Sequence, residues 1–213
     1  MLHIITPFSR YENKDFYLEN LNNKNIIWHP IVHYSEDAKN TSWNPCRDKD
    51  KIDFKHSWVQ SYLMDYVPSE IDICYYKLNH FIQNFKIEDN DVYWFMNDDD
   101  YIEDETINYF NQSNLEHDVY FVSMKRGYGQ QPGYPNGHGT FTLMADPNRV
   151  IIGNIGLEQY FIKGHILKNL TFHLDRGCAD GYMAIELHEK YKVKFLPELY
   201  VLFNYLEKGR WEK

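Results

Sequence analysis

Apolar runs alternate with short polar breaks along the chain, and their spacing changes from one run to the next. His3 to Thr6 is a short β-prone run that Pro7 is expected to end with a turn. Ile26 to Tyr34 predicts a second strand, at an edge or irregular position because Pro30 lacks a ladder donor. Residues 35 to 56 are polar, without periodicity, and predict loop. Ser69 and Asp72 form an S-x-x-D capping box after Pro68. Ile71, Cys74, Tyr75, Leu78, Phe81, Ile82 and Phe85 follow at helical spacing, one apolar stripe on a helix over 69–85.

Glu88-Asp89-Asn90 breaks that stripe, and Val92-Tyr93-Trp94-Phe95-Met96 follows with no alternation. Such a run predicts a central strand covered on both faces. A helix is expected from Asp104 and a strand over Val119 to Met124. Residues 125 to 149, rich in Gly, Pro and Asn, predict a long mobile connection. Residues 150 to 163 are read as strand and 164 to 169 as a short helix. A further helix opens at Asp180, with Met183, Leu187 and Tyr191 on one face, and Val193 to Leu202 supplies one or two last strands. The alternation predicts an α/β fold in a single domain: a central mixed, mostly parallel sheet flanked by helices.

Composition narrows the function classes. The chain has 213 residues, 43% of them hydrophobic, enough for one core. Aromatic residues make up 17%, which serves packing first and stacking on ligands second. A formal net charge of −9 argues against a nucleic-acid partner, whose phosphates require excess Lys and Arg. No stretch is long and apolar enough to predict a membrane span, and no signal segment opens the chain. Cys46, Cys74 and Cys178 lack metal-site spacing and suit a reducing, cytoplasmic compartment. The N-x-S/T matches at Asn40, Asn111 and Asn169 carry little in an Asn-rich chain.

The sharpest chemical feature is Met96-Asn97-Asp98-Asp99-Asp100, where the most apolar strand runs into three carboxylates. Ligands of open α/β sheets sit at the carboxyl ends of strands, and adjacent carboxylates repel unless a cation joins them. Hard oxygens suit Mg²⁺ or Mn²⁺. Side-chain alternation in an extended segment would put Asp98 and Asp100 on one face, with Asp99 pointing elsewhere. The plainer reading is a solvated acidic turn ahead of a helix, preferred for Glu103, Asp104 and Glu105.

The segment resembles the D-x-D motif of nucleotide-sugar glycosyltransferases of the GT-A fold. The opening Ile4-Ile5-Thr6-Pro7-Phe8-Ser9-Arg10-Tyr11-Glu12-Asn13 is similar to their first strand and nucleotide-binding turn. Lys77-Leu78-Asn79 lies on the helix before the D-x-D strand, where the large inverting family carries nucleoside contacts. Tyr160 to Leu167 resembles the strand-to-helix step after the acceptor loop. Ala179-Asp180-Gly181 stands where that family has the acidic pair containing its catalytic base, and Phe195-Leu196-Pro197-Glu198 resembles the strand that follows.

The resemblance implies a GT-A-like domain over 1–213, with a nucleotide-binding part over about 1–100 and an acceptor part over about 101–213. It leaves room for a longer protein of which this is the N-terminal part. It assigns Asp98 and Asp100 to Mn²⁺ or Mg²⁺, and Thr6, Pro7, Arg10, Lys77, Asn79, Asp98 and Asp99 to the nucleotide. Asp180 becomes the catalytic base, or equally an N-cap. The donor is expected to be a UDP-sugar, hexose or deoxyhexose, and the acceptor a glycan or glycoprotein, viral capsid glycans included. A viral protein of this kind would work in the host cytoplasm. Residues 127 to 139 would close over the donor.

Two departures stand out. Ala179 replaces the acidic residue that often precedes the base, and 203–206 lacks the late His that helps hold the metal. His165 or His173 is then a candidate third ligand. A metal-dependent phosphohydrolase or nucleotidyltransferase, and a non-catalytic carbohydrate-binding module, remain alternative readings.

Overall fold

Leu2–Phe8 forms β1, buried at all seven positions. The strand runs through Pro7, which the sequence was expected to use as a stop. The reason lies in the neighbouring ladder. The Met96 amide donates to the Ile5 carbonyl at 3.0 Å, so residue 5 faces β4 (Val92–Phe95), and residue 7 faces the same way two positions on. Pairing with β4 stops at Ile5, so no partner is left for the donor Pro7 lacks.

The computed structural model describes residues 1–34, 46, 52–64, 73–112, 114–126, 141–175, 177–203 and 205–206. The Ser69–Asp72 capping box, most of the 35–56 loop and the expected lid at 127–139 lie outside them. β1 pairs in parallel with β4 on one side and with β2 (Ile26–His33) on the other, and β2 pairs in parallel with β3 (Tyr62–Met64). β2 is therefore interior, yet Pro30 falls in a real irregularity. Trp28 bonds both ways to the segment before β3, and the ladder resumes only at Ile31, so the proline sits in the gap.

The remaining strands are β5 (Tyr101–Ile102), β6 (Val119–Arg126), β7 (Phe141–Leu143), β8 (Tyr160–Lys163) and β9 (Val193–Phe203). Among the described residues they complete a nine-stranded sheet in the order β3-β2-β1-β4-β8-β6-β9-β5, with β7 on β6. β8 is antiparallel to both β4 and β6, while β6 and β9 run parallel to each other. The fold is thus α/β with a mixed, mostly parallel central sheet flanked by helices, as the alternation predicts. Two expectations need correction. The 125–149 connection contains β7 and a 3-10 turn at Pro147–Arg149. Of the strand read over 150 to 163, only Tyr160–Lys163 is extended, because Val150 to Gln159 turns back to carry polar groups into the site.

Five α-helices cover the sheet among the described residues: α1 (Lys14–Asn20), α2 (Ile73–Asn84), α3 (Asp104–Phe110), α4 (Gly164–Leu167) and α5 (Ala179–Lys190). Strand alternation divides the core between its two faces. Tyr93 and Phe95 pack on Leu78, Phe81, Leu167 and Met183 from α2, α4 and α5. Val92, Trp94 and Met96 pack on Tyr17, Ile107 and Phe110 from α1 and α3. Coverage on both faces is why β4 has no polar alternation.

At the opposite end of the sheet from the carboxylates, the core holds a chain of titratable groups. His29 Nε2 lies 2.8 Å from His3 Nδ1, and His3 Nε2 lies 3.0 Å from Asp91 Oδ2. Burial, then the neighbouring His3, pushes the His29 pKa down to about 3 from 6.5, and burial also lowers that of His3. The unfolded chain therefore binds protons below about pH 6.5 that the folded one refuses. Stability is complete above that pH and declines as the pH falls. His29 alone should cost about 2 kcal/mol at pH 5 relative to pH 7.5. Thermal melts across this range should show a falling Tm, and His29→Gln should flatten the slope.

Candidate functional site

β4 ends in a turn: the Asp100 amide donates to the Asn97 carbonyl at 3.2 Å. The alternation expected to place Asp98 beside Asp100 requires an extended chain and so does not apply. Asp98 and Asp99 are joined instead, through Arg10. Asp98 Oδ2 accepts from the Ser9 amide at 2.6 Å, the Ser9 hydroxyl at 2.8 Å and the Arg10 amide at 2.6 Å. Its Oδ1 accepts from Arg10 Nη1, which also lies 2.8 Å from Asp99 Oδ1. Such dense donation to a buried carboxylate offsets much of the cost of burying it.

The backbone of the turn is held as firmly. Asn13 Nδ2 donates to the Asp98 carbonyl at 2.7 Å, the Leu206 amide to that of Asp99 at 2.8 Å, and the Tyr17 hydroxyl to that of Asp100 at 2.7 Å. The Asp100 carboxyl, fully buried, accepts from the Asn97 amide at 3.2 Å and lies beside Glu158. Asn97 Nδ2 donates to Glu158 Oε1 as well. Burial drives the Glu158 pKa up to about 7, with Asp180 and Asp99 adding repulsion.

Glu158 and Asn97 open into a cavity of about 280 Å³, which Tyr75, Leu157, Phe203 and Asp180 also line. Asp180 is not the N-cap of its helix. Cys178 holds that position with φ +62°, in the left-handed region, and Asp180 falls in the first turn of α5. Its Oδ1 accepts from the Gly181 amide at 2.8 Å, and Tyr75 lies close enough to favour its ionised form. Burial nonetheless raises its pKa.

The other expected residues divide. Thr6 is buried, and its hydroxyl accepts from Trp28 Nε1 at 2.9 Å. Pro7 is buried within β1. Lys77 Nζ donates to the Phe8 carbonyl at 3.0 Å, close enough to Asp98 to feel its charge, and burial lowers its pKa to about 8. Asn79 does not join this group. Its amide accepts from the Phe172 amide at 2.7 Å and donates to the Phe172 carbonyl at 2.9 Å, stapling that segment to α2 beside a second cavity of about 330 Å³.

Neither candidate histidine completes a metal shell. His165 lies near Asp118 and the Asp89 carbonyl, at the entry to β4 and so across the sheet from its end. His173 is exposed beside Tyr182. Among the described residues no group of three or more His, Cys, Asp or Glu converges on a point that could hold a metal ion. The carboxyls that do meet are Asp100 and Glu158. As hard oxygen donors they fit Mg²⁺ or Mn²⁺, which take one or two protein carboxylates and fill the remainder with water and substrate phosphate.

Glu158 is the residue that sequence reasoning missed. Its signal was weak but present: one acidic residue in Gly156-Leu157-Glu158-Gln159-Tyr160-Phe161-Ile162, directly before a buried strand. No family model matches the chain, and no curated protein matches it in sequence.

Arg10 is the hinge of this arrangement. Its replacement by Ala leaves two buried carboxylates without their shared cation and should cost about 3 kcal/mol in urea unfolding. Arg10→Lys should recover only part of that loss, because a shorter and more strongly hydrated ammonium does not reproduce the position of Nη1, the one guanidinium nitrogen that meets both partners.

Proposed function

We propose that the chain is a metal-dependent glycosyltransferase of the GT-A type. It moves a sugar from a nucleoside-diphosphate donor, UDP-hexose or UDP-deoxyhexose, to a glycan or glycoprotein acceptor. The observation that carries this reading is the cavity at the carboxyl end of β4, where Asp180 on α5 faces the Asp100–Glu158 pair. The carboxyl ends of parallel strands are where α/β sheets bind ligands. The sequence resemblance supplies the reaction class.

In this reading the turn at Ser9 and Arg10, anchored on Asp98, shapes the nucleotide side. Lys77 fixes the end of β1 from beneath. A divalent cation at Asp100 supplies neutralisation of the charge that grows on the departing diphosphate. Asp180 takes the proton from the acceptor hydroxyl as the anomeric carbon is attacked, which inverts configuration. Its partial burial strengthens it as a base, and Tyr75 lines the same cavity beside it. The apolar lining from Leu157 and Phe203 limits water at the reacting carbon.

Thermal shift tests the reading. UDP-sugar with Mn²⁺ at a hundredfold excess over Kd should add about 2.7 kcal/mol, a Tm rise of roughly 5–10 °C. Asp100→Ala should abolish the metal-dependent part, and a shift that survives it would remove the cation from Asp100. Asp180→Asn should lower kcat by about 10²–10⁴ while leaving the donor shift intact. Product analysis should find intact UDP and an inverted sugar. UMP or inorganic phosphate would point to phosphoryl transfer, and retention would remove Asp180 from the role of base.

A further inference from the structure

Asp100 has no exposed surface, whereas Glu158, beside it, lines the cavity. The position of Glu158 is fixed from its backbone outward. Trp94 Nε1, on β4, donates to the Glu158 carbonyl at 2.7 Å. The next residue, Gln159, accepts from the Gly156 amide at 3.1 Å and donates to the Val122 carbonyl at 3.2 Å, tying the 3-10 turn Leu157–Gln159 to β6. The carboxyl is oriented too. Oε1 accepts from Asn97 Nδ2, and Gly156, which has no side chain, leaves room for Oε2.

Among the described residues, Arg10 is engaged by Asp98 and Asp99, and Lys77 by the Phe8 carbonyl. Asn97 gathers both carboxyls, that of Asp100 through its backbone amide and that of Glu158 through Nδ2, and two buried carboxyls brought so near favour a proton or a cation between them. A second observation marks the cluster as incomplete. The Tyr160 hydroxyl is fully buried and has no hydrogen-bond partner among the described residues, although it lies within electrostatic reach of Asp180, Tyr75 and Glu158. Buried hydroxyls rarely go unpaired, so this one lacks a group that a ligand or its bound water would supply.

We infer that Glu158 is a cation ligand, and that Asp100 and Glu158 together hold one divalent ion at the floor of the cavity. The inference rests on the proposed glycosyltransferase reading and adds to it a ligand from outside the Asp98–Asp100 run. An ion on Glu158 faces the cavity directly, which Asp100 alone does not.

The test is Mn²⁺ binding to the whole chain without nucleotide, followed by the EPR signal of free Mn²⁺. Glu158→Gln keeps the size and the Asn97 contact, and circular dichroism and melting without metal should match the unaltered protein. Its Mn²⁺ Kd should rise by about 100-fold, as large as the loss on removing a supporting group around a metal or larger. Asp100→Asn should lose binding to a similar degree. Glu158→Asp, which keeps a carboxylate one methylene shorter, should fall between and serves should the Gln variant misfold. Loss in Asp100→Asn with unchanged affinity in Glu158→Gln overturns the inference and leaves the proposed function standing. Undiminished binding in both overturns the cation site and the function built on it.

Discussion

Carboxyls at the end of a strand buried on both faces set the terms for the rest of the molecule. A carboxylate taken out of water costs several kcal/mol unless donors or a cation compensate it. Asp98, Asp99, Asp100 and Glu158 are all nearly inaccessible. The chain meets this demand in two ways. Asp98 and Asp99 receive the Arg10 guanidinium, and Asp98 the amides of Ser9 and Arg10 as well. Asp100 and Glu158 both accept from Asn97, through its backbone amide and its Nδ2. The first solution locks the end of β1 to the end of β4. The second draws the turn before β8 onto the same point, so the fold around the cavity follows from where the acids must go.

The aromatic residues contribute to that closure through their polar atoms. Trp94 and Phe161 stack within the sheet at 5.4 Å, yet the Trp94 indole N–H also holds the backbone of Glu158. Tyr17 packs against Phe8 and Trp28 while its hydroxyl takes the Asp100 carbonyl. Trp28 reaches back to Thr6 in the same manner. A large ring with one donor can fill the core and satisfy a buried carbonyl at once. Phe in place of Tyr17, or an aliphatic residue in place of Trp94, would fill space and leave an acceptor of the turn unpaired.

Much of this architecture was legible in the sequence where burial is symmetric or periodic. Val92 to Met96 could be read as central because neither face offers water a polar side chain, and α5 because Met183 and Leu187 recur at helical spacing. What could not be read depends on partners distant in sequence. β7 exists because residues 141–143 meet β6, and the 150–159 stretch turns because Gln159 bonds to Val122 and Leu143. Strand alternation failed at Asp98 because a turn at 97–100 reorients each side chain, and the signal for that turn lies in Arg10, some ninety residues away. Glu158 was hidden for the same reason, since its meaning comes from Asn97 and Asp100.

Two acids line one cavity, and their settings separate what each can do. Burial raises both pKa values, but Asp180 sits in the first turn of α5, where the helix amides favour its ionised form, and the Gly181 amide bonds it directly. Glu158 has no such helix behind it, since only a three-residue 3-10 turn carries it, and its repulsion from Asp180 works against a second charge in the same space. Groups driven apart in this way take different roles. Asp180 can stand ionised and free to accept a proton at the cavity wall. Glu158 is the harder of the two to ionise, and positive charge arriving in the cavity would favour its charged form. Under the proposed reading, Asp180 is the better placed of the two to act as base, and a cation in the cavity would favour the charged form of the acidic floor.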